Sequence, residues 1–302
     1  MTVVRFPLSD PASGSANSPS LQNDDSGMLT IMPAPEDLLS DEARDLIVTT
    51  IQPLQGNGRL SVPTSFNEII GTPGNDVLRG TNRPDLIEGR AGNDRLLAEG
   101  ASDSLFGDGG NDRLFGGRRD DRLFGGNGND RLFGDQGNDE LSGGSGRDEL
   151  RGNNGNDVLE GGAARDSLFG GNGADRLVGQ GARDLLLGGR GDDVLIGGRQ
   201  PDRLAGGGGT NRFVYNSFED RGDTITDFDR RRDVLDLSRL FQGDNFTSSD
   251  KFEDYVIIVR DDEETTIIRV DADGNGGDQP FKTLATLENV EFDDIGRRNF
   301  VF

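Results

Sequence analysis

The chain has no cysteine, no histidine and no tryptophan, and only two tyrosines and three methionines. Without cysteine there is no disulfide and no thiolate metal site. Without histidine, the commonest general base and the commonest transition-metal ligand are both missing. An H-E-x-x-H zinc motif and a Ser-His pair are therefore impossible, and no G-x-S-x-G occurs. No run of 18 apolar residues exists to span a membrane. Apolar residues make up only 31% of the chain, too few for a conventional large core, so something besides burial must offset the entropy of ordering. These absences leave metals that take oxygen ligands untouched.

What the chain has instead is glycine and acid. Glycine accounts for 47 of 302 residues, and 55 acidic residues against 32 basic ones leave a net charge of −23. The balance is uneven: 9 acids and 3 bases over 1–70, 24 and 18 over 71–212, and 22 and 11 over 213–302. The bases of the middle stretch are all arginine. So acidic a chain is a poor partner for nucleic acid.

The start, MTVVRFPLSDPASGS, lacks the apolar segment of a signal peptide. Residues 1–35 are rich in Ser, Pro, Asn and Asp and are expected to be disordered. Residues 36–70 read as a short helix, with Leu38, Leu39, Ala43, Leu46 and Ile47 roughly on one face, and then an extended lead-in or cap.

From residue 71 a strict register takes over. Aspartate recurs every nine residues at 76, 85, 94, 103, 112, 121, 130, 139, 148, 157, 166, 175, 184, 193 and 202, and Asn211 holds the sixteenth place. Two residues after each comes an apolar side chain, from Leu78 and Ile87 through thirteen leucines to Leu204, and then Phe213. A fixed short period marks a solenoid. Nine residues suit a tight turn of about six and a strand of about three, whose middle residue alone points inward. Two units complete an 18-residue coil, so successive units alternate between two parallel sheets back to back. At about 4.8 Å per coil, eight coils make a rod roughly 35–40 Å long. The turn aspartates then stack in columns at the same spacing and repel one another unless a cation lies between them. Calcium fits that need, with aspartates and turn carbonyls as ligands and glycine letting the carbonyls converge.

The units GRAGNDRLL (89–97), GDGGNDRLF (107–115), GGNGNDRLF (125–133) and GGRGDDVLI (188–196) resemble the RTX nonapeptide, G-G-x-G-x-D-x-U-x, where U is a large apolar residue. The resemblance covers 71–214 in sixteen units. It implies an all-β fold: a right-handed parallel β-roll binding calcium between turns, followed by a small β-rich C-terminal region.

The fourth residue of the unit should be glycine. It is Arg83, Ala101, Arg119, Ala164, Ala182 or Gln200 in units 2, 4, 6, 11, 13 and 15. Odd units line one edge of the roll and even units the other, so intact turns run through units 1–9 on the odd edge and 8–16 on the even edge. Each ion needs turns n and n+2, which gives four sites per edge and about eight in all, where sixteen regular turns would allow fourteen. On the odd edge the expected ligands come from Asp76, Asp94, Asp112, Asp130 and Asp148, with the turn glycines Gly74, Gly92, Gly110, Gly128 and Gly146. On the even edge they come from Asp139, Asp157, Asp175 and Asp193, with Gly137, Gly155, Gly173 and Gly191, and Asn211 weakens the last site. Five of the six degenerate turns carry arginine: Arg83, Arg118 with Arg119, Arg165, Arg183 and Arg199. Either these guanidinium groups replace calcium against the column, or they are a solvated basic surface. Phenylalanines at position nine and arginines at position seven read as ladders along the sheets, or as a surface for anionic sugar.

After Phe213 the pattern changes. DTITDFDRRRDVLDLS (223–238) resembles the segment that follows RTX repeats in proteins exported by type I secretion. DYVIIVRDDEETTIIRVD (254–271) reads as a hairpin, and FKTLATLENVEF (281–292) as a further strand or two. Residues 215–302 are thus expected to form a cap and type I secretion target domain. Within it DADGNG offers Asp271, Asp273 and Asn275 as the start of a calcium loop, but Lys282 stands where an EF-hand needs glutamate, and an ordinary acidic turn is the alternative. Asp223, Asp227, Asp229 and Asp233 are placed to cap the last coil or hold one more ion.

The functional expectation is a secreted, extracellular bacterial protein, non-catalytic, that folds on Ca²⁺ after passing the type I secretion apparatus. Extracellular modules bind calcium at about 10⁻⁴–10⁻³ M, so export itself supplies the ligand that drives folding. The alternatives are a cell-surface or matrix protein adhering to anionic polysaccharide, a carboxylate-only hydrolase, and a toxin, for which no long amphipathic segment is present.

Overall fold

The computed structural model describes residues 21–23, 29–31, 66–242, 251–261, 265–272 and 281–302. The chain divides into two compact units, Met1–Ser65 and Phe66–Phe302. In the first, Leu21–Asn23 pairs antiparallel with Leu29–Ile31, a short ladder inside the stretch read from sequence as disordered. The helix expected within 36–51 lies outside the described residues.

The second unit is a parallel β-solenoid. Strands of odd repeats stack in one sheet and those of even repeats in the other, each pairing with the strand 18 residues away. Leu132 thus faces Leu150 in one sheet, and Leu141 faces Leu159 in the other. The first rungs, such as Val77–Arg79 and Arg95–Leu97, have the three-residue strands that the period predicts. From Arg113–Arg118 onward most strands extend to five or six residues. The extension comes from the first residues of the next unit, glycine foremost, which join the ladder because coils of equal length stay in register. In Arg131–Gln136 the buried positions are Leu132 and Gly134. Two residues per strand therefore face inward, but only one carries a side chain.

That single position fills the core. The leucines from Leu96 to Leu195 on the repeat are completely buried, as are Ile87 and Phe213. Outside, the ladders pack on themselves. Phe115 stacks on Phe133 at 4.9 Å and Phe106 on Phe124 at 5.0 Å. Arg95 lies over Phe115 at 4.9 Å and Arg151 over Phe169 at 4.6 Å, contacts that stabilise neighbouring rungs.

Both sheets run on beyond the repeats. Asp223–Ile225 pairs with Arg203–Gly208, and Val234–Asp236 with Arg212–Val214, both in parallel. Lys282–Glu288 adds to Asp223–Ile225, and the expected hairpin, Val256–Arg260 with Thr265–Val270, closes that sheet antiparallel. Phe300–Val301 closes the other. Leu235, Leu237, Ile225, Ile268 and Leu287 continue the leucine core, and Phe241, Tyr255, Phe252, Phe300 and Phe302 form an aromatic cluster at its end. No helix among the described residues is long and apolar enough to cross a membrane.

Candidate calcium-binding turns

Each column aspartate is held by one carboxylate oxygen. Its Oδ1 accepts the backbone N–H of the aspartate one coil earlier. Asp112 donates to Asp130 at 2.8 Å, Asp130 to Asp148 at 2.8 Å and Asp139 to Asp157 at 2.8 Å. The same bond runs along both edges from Asp94 to Asp202 and fixes these carboxylates in one orientation. The second oxygen, Oδ2, points into the turn. From Asp94 to Asp202, and again in Asp223, it is buried without a hydrogen-bond partner.

A row of buried, unpartnered carboxylate oxygens needs protons or cations. The surroundings favour a hard cation. A Cβ built on Gly107 would lie 2.6 Å from Asp112 Oδ2 and 2.6 Å from the Gly125 carbonyl oxygen, so side-chain and main-chain oxygens converge from successive turns. Among the described residues no three acidic side chains gather at one point. The donors are thus carboxylate oxygens joined by backbone carbonyls, which fit calcium and not a nitrogen- or sulfur-seeking metal.

Burial raises these carboxyls from the usual aspartate range, and like charges one coil away add to the shift. Asp112, Asp130, Asp139, Asp148, Asp175 and Asp193 reach about 6. Asp157, Asp166, Asp184 and Asp202 reach about 7, and Asp121 about 8.

The intact and degenerate turns differ in backbone. Where position four is glycine, from Gly92 to Gly209, its φ lies between +121° and +139°, a region open to glycine alone. A side chain there would also collide with the carbonyl of the turn before, as Gly128 would with Gly110. In the degenerate turns Arg119, Ala182 and Gln200 sit at φ of 73–75°, the ordinary left-handed region. The hydrogen bonding follows. The position-four N–H of an intact turn donates to the position-three carbonyl of the next turn. The pairs are Gly92 to Gly109, Gly110 to Asn127 and Gly128 to Ser145 on the odd edge. On the even edge they are Gly137 to Asn154, Gly155 to Asn172, Gly173 to Arg190 and Gly191 to Gly208. These seven bonds occupy seven of the eight turn pairs selected by sequence.

The eighth pair, turns 1 and 3, is different. Asp76 Oδ2 accepts the Thr72 N–H at 2.6 Å and its hydroxyl at 2.9 Å. Asp85 is closed the same way by Thr81. Threonine at position two thus seals the first two turns locally.

The structure adds residues that the sequence reading passed over. The side chain at position five accepts the N–H of the next turn, from Asn93 Oδ1 to Asn111 and from Asn111 Oδ1 to Asn129 at 2.7 Å, and from Asn138 Oδ1 to Asn156 at 2.8 Å. Asparagine recurring directly before the aspartate was the available signal. Asp223 and Asp233, which the sequence placed at the end of the last coil, prolong the columns by taking the N–H groups of Asp202 and Asn211 at 3.0 and 2.8 Å. Their D-x-Ile and D-x-Leu spacing matches the repeat, but their coils span 21 and 22 residues.

Of the two readings of the degenerate-turn arginines, the solvated surface is the one that fits. Among the described residues no guanidinium hydrogen-bonds to the column at these turns: Asp103, Asp121, Asp166, Asp184 and Asp202 all keep an unpartnered Oδ2. The arginines stand on the exposed apices while the carboxylates are sealed inside. Arg165 still acts on Asp184 through space, lowering its proton affinity against the larger effect of burial. In the DADGNG stretch, Asp271 is buried beyond Thr265–Val270, while Asp273 and Asn275 lie outside the described residues.

The family model described as the RTX calcium-binding nonapeptide repeat (4 copies) matches in overlapping blocks from residue 70 to residue 221. No curated protein matches the chain. Among solved structures, the R3 subunit of the AlgE6 mannuronan C5-epimerase of Azotobacter vinelandii is similar at 27% identity, over 58% of this chain and 78% of that one, with a TM-score of 0.28. The R2 subunit of the same enzyme is 25% identical over 62% of this chain and 90% of that one, with a TM-score of 0.27. The extracellular lipase LipA of Serratia marcescens is 15% identical over 78% and 40%, with a TM-score of 0.25. With half its length matched by the repeat model, and with stacked turns that leave a carboxylate oxygen open from Asp94 to Asp202, the chain belongs to the RTX calcium-binding nonapeptide-repeat family.

Proposed function

We propose that this protein is a secreted, non-catalytic calcium-binding protein whose roll folds when it meets Ca²⁺ outside the cell. The observation that carries the reading is the unbroken run of buried, unpartnered Oδ2 atoms from Asp94 to Asp202. Such a run is unfavourable when ionised and empty, and becomes favourable when calcium fills it, so binding and folding are one event. The intact turn pairs carry about eight ions: units 1–9 on the odd edge and 8–16 on the even edge. The first pair is the weakest on its edge because Thr72 already holds Asp76, and Asn211 weakens the last pair on the other. The resemblance of 223–238 supports export by a type I apparatus in a bacterium, with the chain unfolded until calcium is available.

The test is a count of bound calcium per full-length chain by equilibrium dialysis and elemental analysis at saturating calcium. About eight ions are expected. About fourteen would mean that degenerate turns bind equally well, and none would remove the proposal.

A further inference from the structure

Coil nine breaks the register in an informative way. The nine-residue count leads from Asp202 through Asn211 to Asp220, yet Asp220 does not enter the column. It turns to its own loop, accepting the N–H groups of Asn216 and Ser217 and the Ser217 hydroxyl at 2.9–3.2 Å. Asp223 takes the column place instead, its Oδ1 accepting the Asp202 N–H at 3.0 Å. Position one changes as well. Every repeat has glycine there, or alanine at Ala98, because the turn's own Oδ2 lies against that Cα. In coil nine the position belongs to Tyr215, which is 1% exposed.

The Tyr215 hydroxyl faces Asp223, yet neither it nor the Oδ2 atoms of Asp202 and Asp223 find a well-formed hydrogen bond. Asp202 is 3% exposed and Asp223 1%. Two buried carboxylates one coil apart and a buried phenol thus converge, all with oxygens to spare. The neighbouring aspartates behave otherwise. Asp227 is occupied by the Gly206 and Gly207 N–H groups, Asp229 by Arg231 and Arg232, and Asp233 by the Asp229 N–H.

We propose that Asp202, Asp223 and the Tyr215 hydroxyl form a cation site of their own, beyond the last nonapeptide, that takes Ca²⁺. Two anionic oxygens and a neutral phenol suit a hard divalent ion. The site does not depend on an intact glycine turn, since unit 15 carries Gln200. Asp223 opens the strand that receives Lys282–Glu288, so an ion here ties the roll to the C-terminal strands. The inference rests on reading the chain as a calcium binder.

Terbium in place of calcium separates the two claims. The chain has no tryptophan and two tyrosines, so terbium emission excited through the tyrosine band reports an ion close to Tyr215 or Tyr255. Full-length protein is expected to give that emission. Tyr215→Phe should reduce it at least tenfold, and Asp223→Asn should weaken it with both tyrosines intact. Tyr255→Phe should leave it in place. Circular dichroism at saturating calcium checks that each variant folds, and dialysis should show Asp223→Asn binding one calcium fewer. A silent wild type that still binds calcium by dialysis overturns this site alone and means that the carboxylates share a proton. Emission that depends on Tyr255 and not Tyr215 also overturns it. A chain that binds no calcium in dialysis overturns both readings.

Discussion

At the scale of single residues, the aspartate is divided between two tasks. Oδ1 holds the preceding coil through its N–H, and Oδ2 has no partner and is, in the proposed reading, the oxygen that meets the ion. Asn211 preserves the first task and loses the second, since its Oδ1 still accepts the Asp193 N–H at 3.2 Å while its Nδ2 is unpartnered. Asp130→Asn should therefore fold at saturating calcium but bind up to two fewer ions, because turn 7 serves the pairs on both sides of it. Asp121→Asn, in a degenerate turn, should leave the count unchanged and make the calcium-free chain easier to fold, as it removes a buried charge. Equal losses in both variants would show that intact and degenerate turns are alike. Gly128→Ala should cost about 1–3 kcal/mol from the backbone alone, and more from the collision with Gly110. It should raise the calcium midpoint, whereas Ala182→Gly should not. The aspartate, leucine and fourth-position glycine were all legible in the sequence, because each recurs at a fixed place. Thr72 and Thr81 were not, because a local hydroxyl cap occurs only twice and leaves no period.

At the scale of the rung, the core is one leucine deep. Leu132 is completely buried and packs between Leu114 and Leu150 on the same sheet. Leu132→Ala should cost about 2–5 kcal/mol, with no alternative side chain to close the gap, and should raise the calcium needed for half-folding. A change confined to exposed Arg131, by comparison, removes only a surface pair with Glu149 and should be nearly silent. Strand order and the 18-residue pairing were legible from the period alone. The end of the roll was legible only in part. The hairpin 256–270 followed from its alternating β-rich runs, but the chain's return as Lys282–Glu288 and Phe300–Val301 to extend the two sheets depends on long-range pairing that no local pattern records. Asp223 and Asp233 were legible as acidic residues capping the last coil, but not as members of the columns: three or four added residues preserve the D-x-apolar triplet while destroying the period.

At the scale of the whole molecule, the roll buries a column of carboxylates along each edge. Its column carboxyls are raised by burial, and by each other, from about 4 in an unfolded chain to about 6 for Asp112 and Asp130 and about 8 for Asp121. The folded chain therefore binds protons more tightly than the unfolded one. That contribution to stability is fully present below the unfolded value and is lost as pH rises through about 6 to 8. In chelator the β signal should thus be strongest near pH 4 and fade toward pH 8. Calcium competes with those protons, so the calcium midpoint should rise as pH falls through the same window, and a midpoint independent of pH would contradict the placement of the ions at these carboxylates. The most direct test of the central claim is far-UV circular dichroism of the full chain during a calcium titration from chelator at pH 7.5. A cooperative gain of β signal at about 10⁻⁴–10⁻³ M calcium is predicted, in the range of extracellular modules. A β signal already complete in chelator, with no response to calcium, would show that leucine and hydrogen bonds suffice and that the roll does not fold on its ions.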